Sequence, residues 1–395
     1  MEDVICNEQE RAVARRTITK SDMAKWPYIT TDSAGRLDGG LVFVGPTEAE
    51  ARPLKLKHFI FADSQDPSSR FKRYALSDDG ELLAASFDNG GILIWRLSDG
   101  LLVQRLQHQD HTGDVESLSF SPNSQSLVSG SEDKSATVWD PRSGHVLLRL
   151  EHTETVTKVA YAPHGALIAT ASGDRSIKIW DAWTGACVQS FDADEIIYKL
   201  AFSPDGLRFY AEAGLGVRVY DVRTYTPIAR LQDRMGSDSS WSISCQGDYI
   251  VTASYGQVKI WSAVTGEEIL AISHPQELSS PAAFSPDGAE VLASCGADKT
   301  AVTFDSRTGQ LRRIFKLSDR ARWAAYSPDG DYVVLGDSGG ELKAFDTKSG
   351  SFLARLETGG GIFDVQFVPD SKHLLIDFED KPPILCNIYD VMRMR

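Results

Sequence analysis

A single repeat restricts this chain more than any other feature. Short apolar strands ending in an aromatic and a polar residue recur along it. They are ILIWR with Trp95, ATVWD with Trp139, IKIWD with Trp180, VRVYD with Tyr220, VKIWS with Trp261, AVTFD with Phe304, LKAFD with Phe345 and CNIYD with Tyr389. Successive aromatics lie 44, 41, 40, 41, 43, 41 and 44 residues apart. That period is too long for a heptad and fits four short strands with their turns. Units of this size cannot each enclose a core, so neighbours must stack.

Each unit repeats the same order. A strand running into a Pro-containing turn comes first, as in SLSFSPNS, KVAYAPHG, KLAFSPDG, AAFSPDG and AAYSPDG. Proline presets φ for the turn, and the Asp/Asn-Gly/Ser that follows tolerates left-handed backbone. An apolar strand follows (LVSGS, LIATAS, VLASC, VVLG), then a polar turn, the aromatic strand, and an alternating fourth strand such as HVLLRLE or FLARLE. β-Branched and aromatic residues at this spacing predict an all-β chain.

This grammar resembles the WD-repeat family over about residues 58–395, most closely at 111–150 and 152–191. The resemblance implies a β-propeller of four-stranded blades around a channel. Eight three-strand sets but seven following fourth strands are present. The segment LKLKHFIFA, residues 54–62, is a free strand that supplies the missing outer strand of the last blade. The expectation is one eight-bladed propeller over 54–395, with seven blades as the alternative. Residues 1–53 form a short N-terminal arm packed on the propeller, and a partner-binding arm is the other option.

Composition narrows the function. Forty-one Lys+Arg against 55 Asp+Glu give a net charge of −14, which disfavours nucleic acid and anionic lipid as partners. No apolar run approaches the roughly 20 residues of a membrane helix, and the first residues lack the order of a secretory signal. The five cysteines are far apart and form no CxxC pair, so neither zinc nor a disulfide framework is signalled. An intracellular protein, cytoplasmic or nuclear, is the expectation. P-loop, GxGxxG and HExxH motifs are absent, and no cofactor, metal or catalytic residue is assigned.

His111, Ser129, Asp133 and Trp139, and one repeat later His152, Thr170, Asp174 and Trp180, look superficially like hydrolase triads. The resemblance implies instead a hydrogen-bonded brace within each blade. The indole donates, the hydroxyl relays, and the carboxylate accepts from histidine. Appearing twice favours architecture over catalysis, which uses one asymmetric site. Units four and five lack the turn aspartate, and unit six ends in Phe304, which has no N–H to donate. Those blades must rely on packing.

In the family the resemblance points to, residues near the start of each first strand face the top rim. One register holds Lys72, Glu116, Thr157, Tyr198, Ser239, Ser280, Arg322 and Phe363. Another, two residues earlier, includes Arg70 and Arg320, and a turn adds Tyr255. Arg70, Lys72, Arg320 and Arg322 around Phe363 form a basic crescent suited to an acidic or phosphorylated peptide, unless nearby carboxylates such as Asp319 or Asp364 neutralise it. Tyr198 and Tyr255 are a second candidate set. The expected function is a non-catalytic scaffold for other proteins or peptides, part of a multiprotein complex. A propeller enzyme with a metal-dependent channel site, or an obligate structural subunit, are the rivals.

Overall fold

The computed structural model describes residues 59–60, 71–88, 90–106, 113–193, 195–214, 216–232, 240–254, 256–295, 299–357, 362–378 and 383–388, without the side chains of 59–60, 71, 273–281 and 363. All of these lie in the second of the two units into which the chain divides, Thr47–Arg395. The N-terminal arm therefore lies outside the described residues, as do His111, Arg70 and Tyr255.

Every element among the described residues is a strand. Antiparallel sheets follow one another in chain order, each with its first strand innermost. Blade 1 runs from Phe71–Leu76 to Leu102–Leu106, blade 2 from Val115–Phe120 to Val146–Glu151, and blade 3 from Val156–Tyr161 to Cys187–Asp192. Blade 4 runs from Ile197–Phe202 to Pro227–Gln232, and blade 7 from Ala321–Tyr326 to Phe352–Glu357. Blades 5 and 6 share one seven-stranded sheet. There the 17-residue strand Glu268–Phe284 is the outer strand of one and the inner strand of the other. Blade 8 contributes Ile362–Phe367, His373–Phe378 and Ile384–Asn387, and its outermost strand is Phe59–Ile60. Phe59 pairs with Leu385 and Ile60 with Ile384, within the segment singled out for that role. The chain thus makes an eight-bladed propeller.

The turns show why the repeat has its composition. After the first strand of blade 1, Ser77 Oγ donates to Asp79 Oδ1 at 2.6 Å and accepts from Leu82 N at 2.8 Å. Asp79 also accepts from Glu81 N. Blades 4, 6 and 7 repeat this with Ser203, Ser285 and Ser327. The final turn residue is left-handed, with φ of 69° at Gly80 but 57° at Ser124 and 58° at Ser371. At both serines the hydroxyl accepts from the preceding blade, from Asp79 N at 3.3 Å and Asp329 N at 3.1 Å, which offsets the strain. The polar residue after each aromatic has its own task. Asp181 Oδ1 accepts from the N–H groups of Trp183 and Thr184, closing the turn into the fourth strand.

The core lies between the blades. Eight apolar clusters fill the eight interfaces, each drawn from two adjacent blades. Val128, Val138 and Leu150 of blade 2 pack on Val156, Val159 and Ile168 of blade 3. At the seam, Leu83, Leu93 and Trp95 of blade 1 pack on Val368, Leu375 and Leu385 of blade 8. Each fully buried large side chain is worth about 1.5–3 kcal/mol, so no blade is stable without its neighbours. In blade 4, where Tyr220 replaces tryptophan, Phe209 stacks on it at 4.5 Å and 4°.

Truncation of residues 1–62 would bare the edge Ile384–Asn387. The expected outcome is a melting temperature lower by on the order of 5 °C and concentration-dependent association by light scattering, since an open strand edge recruits another.

Candidate interaction face and channel lining

The first strands carry a backbone irregularity that recurs from blade to blade. Pairing with the second strand shifts register between Phe71 and Arg73, Val115 and Ser117, Val156 and Lys158, Ile197 and Lys199, Ala321 and Trp323, and Ile362 and Asp364. The extra residue of each bulge is Lys72, Glu116, Thr157, Tyr198, Arg322 or Phe363, the register read from the sequence as the rim. A bulge re-aims its side chain out of the pleat. Tyr198 is 59% exposed, and Arg320 and Arg322 are exposed. For Phe363 the description stops at the backbone.

Except at Lys158, the residue after each bulge, together with Ser240 at the matching place in blade 5, joins blade to blade. Arg73 donates from Nε to Glu116 O at 3.1 Å and from Nη2 to Glu116 Oε2 at 3.2 Å. Ser117 Oγ accepts from Val159 N at 3.1 Å, and Ser240 Oγ accepts from Ala282 N at 2.9 Å. Lys199 Nζ donates to Trp241 O at 2.9 Å and sits 4.4 Å from the centre of that ring. The Trp241 indole donates to Glu212 at 2.6 Å. Trp323 Nε1 donates to Ile362 O at 2.9 Å. At the seam, Tyr74 OH donates to Asp364 Oδ2 at 2.6 Å.

The crescent is only partly free. Lys72 is ion-paired with Asp114, which holds its ammonium above the usual range. Asp114, Glu116 and Glu132 bring carboxylate oxygens within 4.8 Å of one another, and Lys72 and Arg73 supply their counter-charge. Asp364 is taken by Tyr74, and Asp319 Oδ1 accepts from Arg320 N.

The braces have defined geometry. In blade 3, Trp180 Nε1 donates to Thr170 Oγ1 at 2.8 Å, and Thr170 Oγ1 lies 2.7 Å from His152 Nε2. His152 Nδ1 lies 3.1 Å from Asp174 Oδ2. One proton arrangement satisfies every group: the threonine hydroxyl donates to Nε2, and a neutral histidine donates from Nδ1 to the carboxylate. Burial lowers the His152 pKa despite Asp174, which agrees with the neutral ring. Burial pushes Asp174 up, but hydrogen bonds from Ser176, Thr153 N and His152 outweigh it and hold the carboxyl well below its usual range. In blade 2, Trp139 Nε1 donates to Ser129 Oγ at 2.8 Å, while Asp133 accepts from Ser135 and pairs with Arg149. Blade 5 has the indole bond, from Trp261 to Thr252 at 2.9 Å.

A like-charge pair sits in blade 8. Asp364 and Asp377 are directly opposed, and Asp377 is 4% exposed. Burial, together with the nearby Asp364 and against a hydrogen bond from Phe378 N, pushes the Asp377 carboxyl up to about 7.

Among known proteins, residues 102–140 and 144–181 match the family model described as WD domain, G-beta repeat. Residues 216–361 match the model described as outer membrane protein assembly factor BamB. The first match starts in the outer strand of blade 1 and ends in the third strand of blade 2, so a sequence repeat straddles two blades. Eukaryotic translation initiation factor 3 subunit I of Candida albicans is 26% identical over 176 residues, 38% of this chain and 50% of that protein. Periodic tryptophan protein 2 homolog of Neurospora crassa is 44% identical over 70 residues, 18% of this chain and 8% of that one. The chain spans about half the length of the first of these relatives. The crystal structure of the computationally designed Ika8 protein is similar at a TM-score of 0.66 and 21% identity, over 81% of this chain and 96% of that chain. That likeness concerns the fold alone.

Thr170→Val should cost about 2–4 kcal/mol in denaturant unfolding, because it strands two buried partners. Trp180→Phe should cost about 1–2 kcal/mol, because it removes one donor. The lowered His152 pKa places its contribution fully above the unfolded value of about 6.5. That contribution is lost as pH falls through the folded value, and the Asp174 contribution is lost at lower pH. His152→Gln should flatten the decline in stability below about pH 6.5. Asp377 has the opposite sign. Its raised pKa favours the fold below about pH 4, and that advantage is lost as pH rises through about 7. Asp377→Asn should raise stability by on the order of 3 kcal/mol at pH 8 and leave it unchanged at pH 4, read from unfolding midpoints.

Proposed function

We propose, because this chain belongs to the WD-repeat β-propeller family, that it is a non-catalytic scaffold presenting one propeller face to other proteins, as a subunit of a larger complex. The observation that carries this reading is the bulge repeated in six first strands, with Tyr198 and Arg322 exposed at two of them. The groups that resemble a hydrolase triad are committed to one another inside blade 3 and serve as a brace. The match to a translation initiation factor subunit supports membership of an assembly and an intracellular, cytoplasmic or nuclear setting. No helix among the described residues is long and apolar enough to cross a membrane.

For the basic crescent, an acidic or phosphorylated motif would meet Arg320 and Arg322, both exposed. The second reading, a metal-dependent enzyme, draws on the convergence of Asp114, Glu116 and Glu132. Lys72 and Arg73 already pair with Asp114 and Glu116, which favours the scaffold.

Affinity capture from native lysate with quantitative mass spectrometry tests the reading, comparing wild type with Arg320→Ala/Arg322→Ala/Phe363→Ala after both are shown to fold. Selective loss of a set of partners is expected. An unchanged list would remove the crescent, and a stoichiometric divalent ion in the purified protein would favour the enzyme.

A further inference from the structure

The side chains that follow the bulges form a series of inter-blade links, and one cation in that series has no link. Arg73, Ser117, Lys199, Ser240 and Trp323 all bond to the first strand of the next blade. On blade 6 the position holds Pro281, which has no polar group. On blade 3 it holds Lys158, whose strand packs beside the first strand of blade 4, Ile197–Phe202. Lys158 is half-buried, and its ammonium forms no hydrogen bond or ion pair among the described residues.

We propose that the channel mouth over blades 3 and 4 docks an acidic segment of a partner protein, with one carboxylate seated on Lys158 and an adjoining apolar residue against Ile196 and Tyr198. This rests on the scaffold reading above and gives it an anchor. An ammonium partly withdrawn from water with no counter-charge in contact is costly. The carboxylates that act on it are already engaged, Glu116 with Arg73 and Glu212 with the Trp241 indole. Burial lowers the Lys158 ammonium below its ordinary range, and Arg73 adds to this from two blades away, against Glu116 and Glu212. Among the described residues, then, the demand of Lys158 for an anion is unmet.

The lip supplies the other half of the recognition. Ile196 is 49% and Tyr198 59% exposed, side by side at the start of blade 4. Exposed aromatic and aliphatic groups beside a desolvated charge are the make-up of a binding hot spot. The background charge of −14 repels acidic chains from most of the surface, so a cationic pocket selects where such a segment settles. A free inorganic anion would use Lys158 but not the apolar lip, and the two sources separate on that basis.

The test is selection of a phage-displayed random dodecapeptide library on the immobilised full-length protein. Anisotropy titrations of the recovered peptides then compare wild type, Lys158→Met, Lys158→Arg and Tyr198→Ala. The expected peptides carry Asp or Glu next to an apolar residue. Their Kd should rise at least tenfold in Lys158→Met and about fivefold in Tyr198→Ala, and should be largely kept in Lys158→Arg. Melting of Lys158→Met should occur at or above the wild-type temperature, because an unpaired charge is removed. A clear drop would mean that Lys158 is structural and would overturn the proposal. Peptides that bind all variants equally would overturn this site and leave the scaffold reading intact. Protection of Lys158 from acylation by millimolar inorganic phosphate, with no acidic peptide recovered, would assign the site to a free anion instead. Recovery of no peptide together with no lysate partner would bring down both readings.

Discussion

Everything in this molecule depends on apolar surface that no blade can bury by itself. A four-stranded sheet has two faces, and here both are covered only by the next sheet and the previous one. The eight clusters therefore form a closed cycle in which the stability of each blade is a property of its two interfaces. The polar links around the channel follow from the same constraint. Where first strands converge, backbone groups of adjacent blades come within reach of short side chains, and serine, arginine, lysine and tryptophan each solve the pairing differently.

The bulge connects architecture to function. An unbroken strand would alternate strictly between its two faces, and both faces are already committed to neighbouring blades. One extra residue in each of six first strands creates a direction that belongs to neither face. The rim can then carry charge or aromatic character without disturbing the core beneath it. Thr157, Tyr198 and Arg322 differ in chemistry, while Val156, Ile197 and Ala321 just before them stay in the core.

Much of this architecture was legible in the sequence because it rests on local chemistry repeated many times. The turn serine and aspartate, the left-handed glycine and the aromatic-aspartate pair each leave a fixed signature, and the spacing gives the blade count. The register read from the sequence as the rim coincides with the bulge residues of six first strands. What escaped was the neighbouring register, Arg73, Ser117, Lys158, Lys199 and Trp323. A period of two is broken at the bulge, and nothing in the local composition marks that break. Which partner a charge finds was equally hidden. Lys72 reaches Asp114 at a separation of 42 residues, a pairing set by how blades abut. The opposed Asp364 and Asp377 depend on a hairpin register that the alternation of HLLIDF does not fix by itself.

The closing strand has a consequence in time. Phe59 and Ile60 are made early, but their partners Ile384 and Leu385 lie more than 300 residues further on. At roughly 5–20 residues per second, the strand waits on the order of tens of seconds during synthesis before its site exists. Blades 1 to 7 are each contiguous in sequence and can assemble one after another over that interval, yet the array they make still has two open ends. Only when the last hairpin emerges does the earliest strand find its partner and the array stop having ends.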